Sequence, residues 1–149
     1  MIRKAVMSDA KNIQTLVNTH AKEGLMLPVG INEIYEKILE FVVWDEGGEI
    51  LGCCAMHPTW ENLAEIRSVA VSKYSIKKGI GTAVVESAMQ MARDVGITDA
   101  FLLTYQPVFF GKLGFVEIEK ENLPKKIWSD CLKCAKFPDC DEIAMKRKL

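Results

Sequence analysis

The stretch IKKGIGTAVV, residues 76–85, places residue types that hold anions at one spot. Lys77 and Lys78 run into Gly79 and Gly81, and an apolar helix-forming stretch follows at once. The first amides of a helix have no partners inside it. The macrodipole adds partial positive charge there, about 0.3–1 kcal/mol per anion and up to ~2 when partly buried. Glycines let a ligand come close to the backbone. The chemistry on offer is that of gripping a phosphate or pyrophosphate; the rival is a Gly-x-Gly turn with no ligand. The common nucleotide fingerprints do not fit. A P-loop Gly-x4-Gly-Lys-Ser/Thr is absent, and Val84 stands where a dinucleotide fingerprint needs its third glycine. Asp99 does follow Gly79 by 20 residues, but residues 72–78 separate the glycines from the preceding strand.

Cysteines are the second group that could carry chemistry. Cys131, Cys134 and Cys140 have C-x2-C-x5-C spacing. A structural zinc takes four ligands, so Asp139, Asp141 or His57 would have to complete the set. Reduced cysteines packing a loop are the preferred reading, and no metal is expected. Cys53 and Cys54 are neighbours in a predicted strand, face opposite sides and cannot form a dithiol site. A Cys-His nucleophile with His57 is the remaining alternative.

These residues need a scaffold. Residues 2–6 read as a strand, then a helix capped by Ser8 or Asp9 with Ile13, Leu16 and Val17 inward, ending near Gly24. Asn32 can cap a second helix with an Ile34, Tyr35, Ile38 and Leu39 stripe. Strands at 41–45 and 50–57 flank the Glu46-Gly47-Gly48 turn as a hairpin. A turn at 58–63 leads to a strand at 64–71. A helix over 82–95 carries Val84, Ala88, Met91 and Val95, with Gly96 as its left-handed cap. AFLLT at 100–104 is apolar enough for a central strand; a short helix at 109–113 and strands at 115–118 and 142–146 complete the order. The order β-α-α-β-β-β-α-β-α-β-β is an α/β class, a mixed central sheet with helices on both faces.

Bulk properties narrow the rest. The 149 residues suit a single domain, 1–149, with a real core. A net charge of −1 gives no basic field for nucleic acid or membrane. No apolar run is long enough for a membrane span, the N-terminus lacks a signal-peptide core, and five unpatterned cysteines suit a reducing cytoplasm.

The stretch AEIRSVAVSKYSIKKGIGTAVVESAMQMAR, with FFGKLGF beyond it, resembles the acetyl-CoA site of the GNAT N-acetyltransferase superfamily. GLMLPVGINEIYEKILEFVV, ILGCCAMHP and LPKKIWSDCLKCAKFPDCDEIAM resemble one branch more closely, the N-acetylglutamate synthases of the short stand-alone type. Three departures matter. Ile76 stands where the family loop has Arg or Gln, Phe110 where it often has Tyr, and Val29 where that branch often has Arg.

The resemblance implies a GNAT acyl-CoA N-acyltransferase fold and acetyl-CoA as co-substrate. It implies that Lys77, Lys78, Gly79, Ile80, Gly81 and Thr82 hold the pyrophosphate, and that Val69, Ala70 and Val71 line the pantetheine slot. The Val69 amide would be the oxyanion donor, on a bulge that parts residues 64–71 from 100–104. Glu65 would be the base, and Tyr105 the nearest substitute for the missing acid. Arg67, on the face of Glu65, would bind the acceptor with Lys126 and Trp128; Arg3 and Lys125 are weaker candidates. The acceptor implied is the α-amino group of an amino acid, L-glutamate, at the first step of arginine biosynthesis. The transfer would be direct, in a ternary complex, in the cytoplasm, with a homodimer as the assembly expected. The rivals are acetylation of a peptide N-terminus or small amine, a non-catalytic acyl-CoA sensor, and a metal-stabilised interaction module resting on the late cysteines.

Overall fold

The structure, a computed structural model, describes residues 1–76, 78–123 and 141–149. Along the chain run β1 (Ile2–Lys4), α1 (Ala10–Ala21), α2 (Ile31–Glu36), β2 (Phe41–Glu46), β3 (Glu49–Trp60) and β4 (Leu63–Val71). Then come α3 (Ile80–Asp94), β5 (Asp99–Thr104), α4 (Pro107–Lys112), β6 (Val116–Ile118) and β7 (Ile143–Lys148). Among the described residues the strands form one seven-stranded sheet, β1-β2-β3-β4-β5-β7-β6. Every pairing is antiparallel except β4 with β5.

Apolar alternation fills both faces. Cys53, Val43 and Ala55 pack with Ile13, Val17, Ile34 and Ile38 under α1 and α2. Their neighbours Cys54, Val42 and Met56 pack with Val84, Val85, Ala88 and Met89 of α3. The strand period of two thus sends adjacent residues into two cores. Phe101 and Leu102, each 1% exposed, do the same from β5, which sits between β4 and β7 as its apolar sequence predicts.

The element order and the hairpin agree with the sequence reading; several boundaries do not. The second helix is short, and a 3-10 turn over Ile38–Glu40 follows it. Only Ile34 and Ile38 of its predicted stripe are buried, while Leu39 is 86% exposed. β3 runs on through Pro58 to Trp60, so the turn is just Glu61 and Asn62. Pro58 pairs with Ala64 of β4, but β2 has stopped pairing with β3 at Phe41 and Ala55, so β3 is an edge strand at Pro58, a place where proline is tolerated. Gly96 closes α3 in the left-handed region at φ 88°, as expected. Val95, predicted to be inward, is instead 67% exposed.

Two contacts fix the frame on the β1–β3 side of the sheet. Arg3 bonds Asp9 at 2.7 Å and Asp45 at 3.0 Å, tying β1 to the start of α1 and to β2. Asp9 therefore does not act as a simple side-chain cap of α1. Its carboxylate takes Arg3 and the Val6 N–H instead. The Arg3 hydrogen bond holds the Asp9 carboxyl below its ordinary value of 3.8, and the Gly48 N–H followed by Arg3 does the same for Asp45. Two strands away, in β3, Gly52 lies under the first residue of α3. A Cβ there would stand 2.5 Å from Ile80 Cγ2.

Two outcomes follow from these contacts. A carboxyl lowered on folding stabilises the protein above its unfolded pKa and loses that contribution as pH falls through the folded value. The melting-temperature gap between wild type and Asp9→Asn should therefore be open near neutrality and close as pH drops from about 5 to about 2. Gly52→Ala should cost about 1–3 kcal/mol in denaturant melts, because Ile80 must move.

Candidate active site

The entrance of α3 is built as an anion cradle. The helix begins at Ile80, two residues before the predicted start, with Gly79 as N-cap at φ 78° and no side-chain cap. The first helical bond runs from the Ala83 N–H to the Gly79 carbonyl at 3.0 Å. The amides of Gly79, Ile80, Gly81 and Thr82 therefore precede the helix ladder. All four residues line a cleft of about 1050 Å³. Gly81 is needed for room: a Cβ would lie 3.1 Å from Phe109 Cζ and 3.4 Å from Val71 Cγ2. Lys78 is exposed and does not line the cleft, so it offers charge only from the rim. Lys77 lies outside the described residues.

The cleft exists because two strands part. β4 pairs with β5 only from Leu63–Asp99 to Glu65–Phe101. Beyond that point β4 carries a bulge, in which Ser68 and Val69 together face Cys54 between the Cys53–Ala70 and Ala55–Arg67 pairs. Among the described residues Ser68 is the one non-glycine at positive φ, 54°. Bulges bend a strand and sharpen its twist, and here the bend opens a slot beside Ser68, Val69, Ala70 and Val71, all of which line the cleft. Its other wall is Leu102, Leu103, Thr104 and the α4 residues Phe109 and Phe110.

Charged side chains also line the cleft. Glu65 Oε1 lies 2.8 Å from Arg67 Nε, and both side chains line the cleft while mostly buried. Arg67, expected to bind the acceptor, is thus paired with a glutamate of its own strand. A second pair, Lys37 with Glu33 at 3.0 Å, also lines the cleft from α2. In sequence this pair reads as an ordinary i,i+4 pair on a helix surface; only the packing of α2 over the cleft reveals it. His20 is another residue the motifs miss: its Nε2 lies 2.6 Å from the Val71 carbonyl, joining α1 to the end of β4.

Other predicted residues fall elsewhere. Tyr105 is not among the residues lining the cleft, and its hydroxyl donates to Asp141 at 2.6 Å. At the junction before α4, Thr104 Oγ1 accepts the Gln106 N–H, and Thr104 and Gln106, not Tyr105, line the cleft. Phe110, 6% exposed, stacks edge-on to Phe109 and Phe115. Arg3 is occupied with Asp9 and Asp45. Lys125, Lys126, Trp128, Cys131, Cys134 and Cys140 lie outside the described residues. A Cys-His nucleophile is ruled out by the packing. Cys53 and Cys54 are fully buried, burial pushes the Cys53 thiol up to about 12 and raises that of Cys54, and His57 Nδ1 lies 2.9 Å from Glu40 instead. Among the described residues no group of His, Cys, Asp and Glu is placed to hold a metal, and no helix is long and apolar enough to cross a membrane.

Known proteins share this arrangement. Residues 12–115 match the Acetyltransferase (GNAT) family. An uncharacterized N-acetyltransferase of Chlorobaculum tepidum is 43% identical over 99% of this chain and 96% of its own. An amino-acid acetyltransferase of Mycobacterium tuberculosis is 35% identical, over 87% of this chain and 76% of its own. A Mycobacterium tuberculosis protein solved in complex with CoA superposes over all of this chain and 99% of its own, with TM-score 0.85 and 32% identity. The N-acetylglutamate synthase of Neisseria gonorrhoeae, solved with coenzyme A and N-acetyl-glutamate, has the same fold at TM-score 0.91 and 24% identity; the match spans 35% of that chain. With a parted β4–β5 pair, an amide cradle at α3 and these relatives, the chain belongs to the GNAT acetyltransferase family and is an acetyl-CoA-dependent N-acetyltransferase.

Proposed function

We propose that the protein acetylates the α-amino group of L-glutamate, the first committed step toward arginine, in the cytoplasm and by direct transfer within a ternary complex. The observation that carries this reading is the pair of ion pairs, Glu65–Arg67 and Glu33–Lys37, lining the cleft that also receives the coenzyme. An amino acid brings an ammonium and a carboxylate, and a dicarboxylic one brings a second carboxylate. Arg67 and Lys37 supply a cation for each. The names of the Mycobacterium relative and of the Neisseria structure support the same acceptor class.

The geometry supports a sequence of roles. Amides of Gly79, Ile80, Gly81 and Thr82 take the pyrophosphate, and the slot beside the bulge takes the pantetheine arm. Glu65, directly or through one water, takes a proton from the ammonium so that its lone pair can attack the thioester carbon. The carbonyl oxygen gains charge as the tetrahedral intermediate forms, and in this reading the Val69 N–H donates to it. The C–S bond then breaks, and the coenzyme leaves as thiolate. With Phe110 at the usual acid position and Tyr105 donating to Asp141, the thiolate departs without a protein acid. A thiol pKa of about 8.5 makes this tolerable. Alignment of the two reactants supplies much of the acceleration.

A panel of amines tests the acceptor: thiol release from acetyl-CoA should be fastest with L-glutamate and weak with spermine or lysine-rich peptides. The opposite order would overturn this reading. Arg67→Ala should raise the acceptor KM about 10–100-fold, as expected for one charge-assisted contact, with the acetyl-CoA KM little changed. Glu65→Gln should lower kcat about 10²-fold or more while coenzyme binding by calorimetry survives. The variant's residual rate should keep rising with pH as the free amine deprotonates in solution; a rate profile parallel to wild type would remove Glu65 from the role of base.

A further inference from the structure

The bulge that opens the cleft costs strain. Ser68 is held at φ 54°, where a side chain is disfavoured. The strained residue is clasped from the neighbouring strand. The Cys53 thiol donates to the Ser68 carbonyl with Sγ 3.3 Å from the oxygen. The Ala70 backbone N–H lies against the same sulfur and partly offsets the effect of burial on the thiol. Cys53 itself is 0% exposed, within the core under α1 and α2. One side chain therefore touches the peptide groups on both sides of Val69.

The chemistry of the peptide bond makes this contact functional. The Ser68 carbonyl and the Val69 N–H belong to one planar trans unit and point in opposite directions. A donor that fixes the carbonyl also fixes the direction of the N–H. Hydrogen bonding at the carbonyl polarises the unit as well, which makes its N–H a better donor. We propose that Cys53 is a positioning residue for acetyl transfer, its thiol holding the Ser68–Val69 peptide so that the Val69 N–H is aimed at the thioester oxygen. This rests on the assignment of Val69 as oxyanion donor. The thiol remains protonated throughout, since burial pushes its pKa up to about 12. It does not act as a nucleophile.

Two substitutions separate positioning from packing, because they predict opposite orders. Cys53→Ser keeps a donor and loses volume; Cys53→Val keeps apolar volume and loses the donor. Positioning predicts that the serine variant retains most of its turnover. It predicts that the valine variant loses about 10-fold or more in kcat, short of the 10²–10³ for deleting an oxyanion donor, with acetyl-CoA KM within about twofold of wild type. The Val69 amide shift in the full chain should move in the valine variant and stay near wild type in the serine variant. The reverse order of kcat overturns the proposal, as does a valine variant with normal turnover. If one variant does not fold, the other still decides: a serine variant with turnover lost, or a folded valine variant with it intact, overturns it. A Val69 amide that moves while turnover holds overturns the oxyanion assignment itself; an amide that does not move overturns the positioning alone.

Discussion

A single peptide unit, Ser68–Val69, sets the shape of everything else. A regular β4 would continue its ladder with β5 past Glu65 and leave no space between the strands. The extra residue, accepted at positive φ, bends β4 away after three paired positions and creates the cleft. The same bend leaves Glu65 at the last position paired with β5 and Arg67 and Val69 to Val71 on the parted side. The proposed base, Glu65, and the proposed carbonyl-binding amide, Val69, thus lie a few residues apart on one strand, and their separation is fixed by the sheet rather than by a loop.

Other parts of the fold serve that wedge. α3 starts close to the parted end of β4, where the proposed coenzyme site lies, and this closeness needs bare backbone at two points. Gly52 lets Ile80 settle onto β3, and Gly81 leaves room for Phe109 and Val71. His20 joins α1 to the last carbonyl of β4 from the opposite face. The Arg3 pairs with Asp9 and Asp45 lie at the far edge of the sheet, where they hold β1 and the entry to α1 without touching the cleft. These ion pairs thereby brace one edge of the sheet, apart from the cleft at its centre.

Much of this is legible in the sequence, for reasons that differ by residue. Gly79, Gly81 and the apolar 3.6-residue period after them announce the cradle, and AFLLT announces a strand buried on both faces. The bulge follows only from resemblance, since SVAV carries no glycine to mark a positive φ. Lys37 and Glu33 look like a solvated helix pair because one-dimensional spacing cannot show what a helix lies across. Cys53 looks like a plain core residue, for its partner is a backbone carbonyl 15 residues away. Tyr105 is the nearest substitute for the missing acid by sequence alone; its hydroxyl donates to Asp141 and it is not among the residues lining the cleft. Leu39 and Val95 fit a helical stripe on paper and fall outside because α2 is short and α3 ends at Asp94.

A crystal structure of the protein with an unreactive acetyl-CoA analogue that retains the carbonyl tests the central claim most directly. The account predicts the diphosphate on the amides of Gly79 to Thr82, the pantetheine arm between the parted strands, and the carbonyl oxygen within hydrogen-bond distance of the Val69 N–H. A carbonyl bound by another group, or an arm lying outside the wedge between β4 and β5, would contradict it.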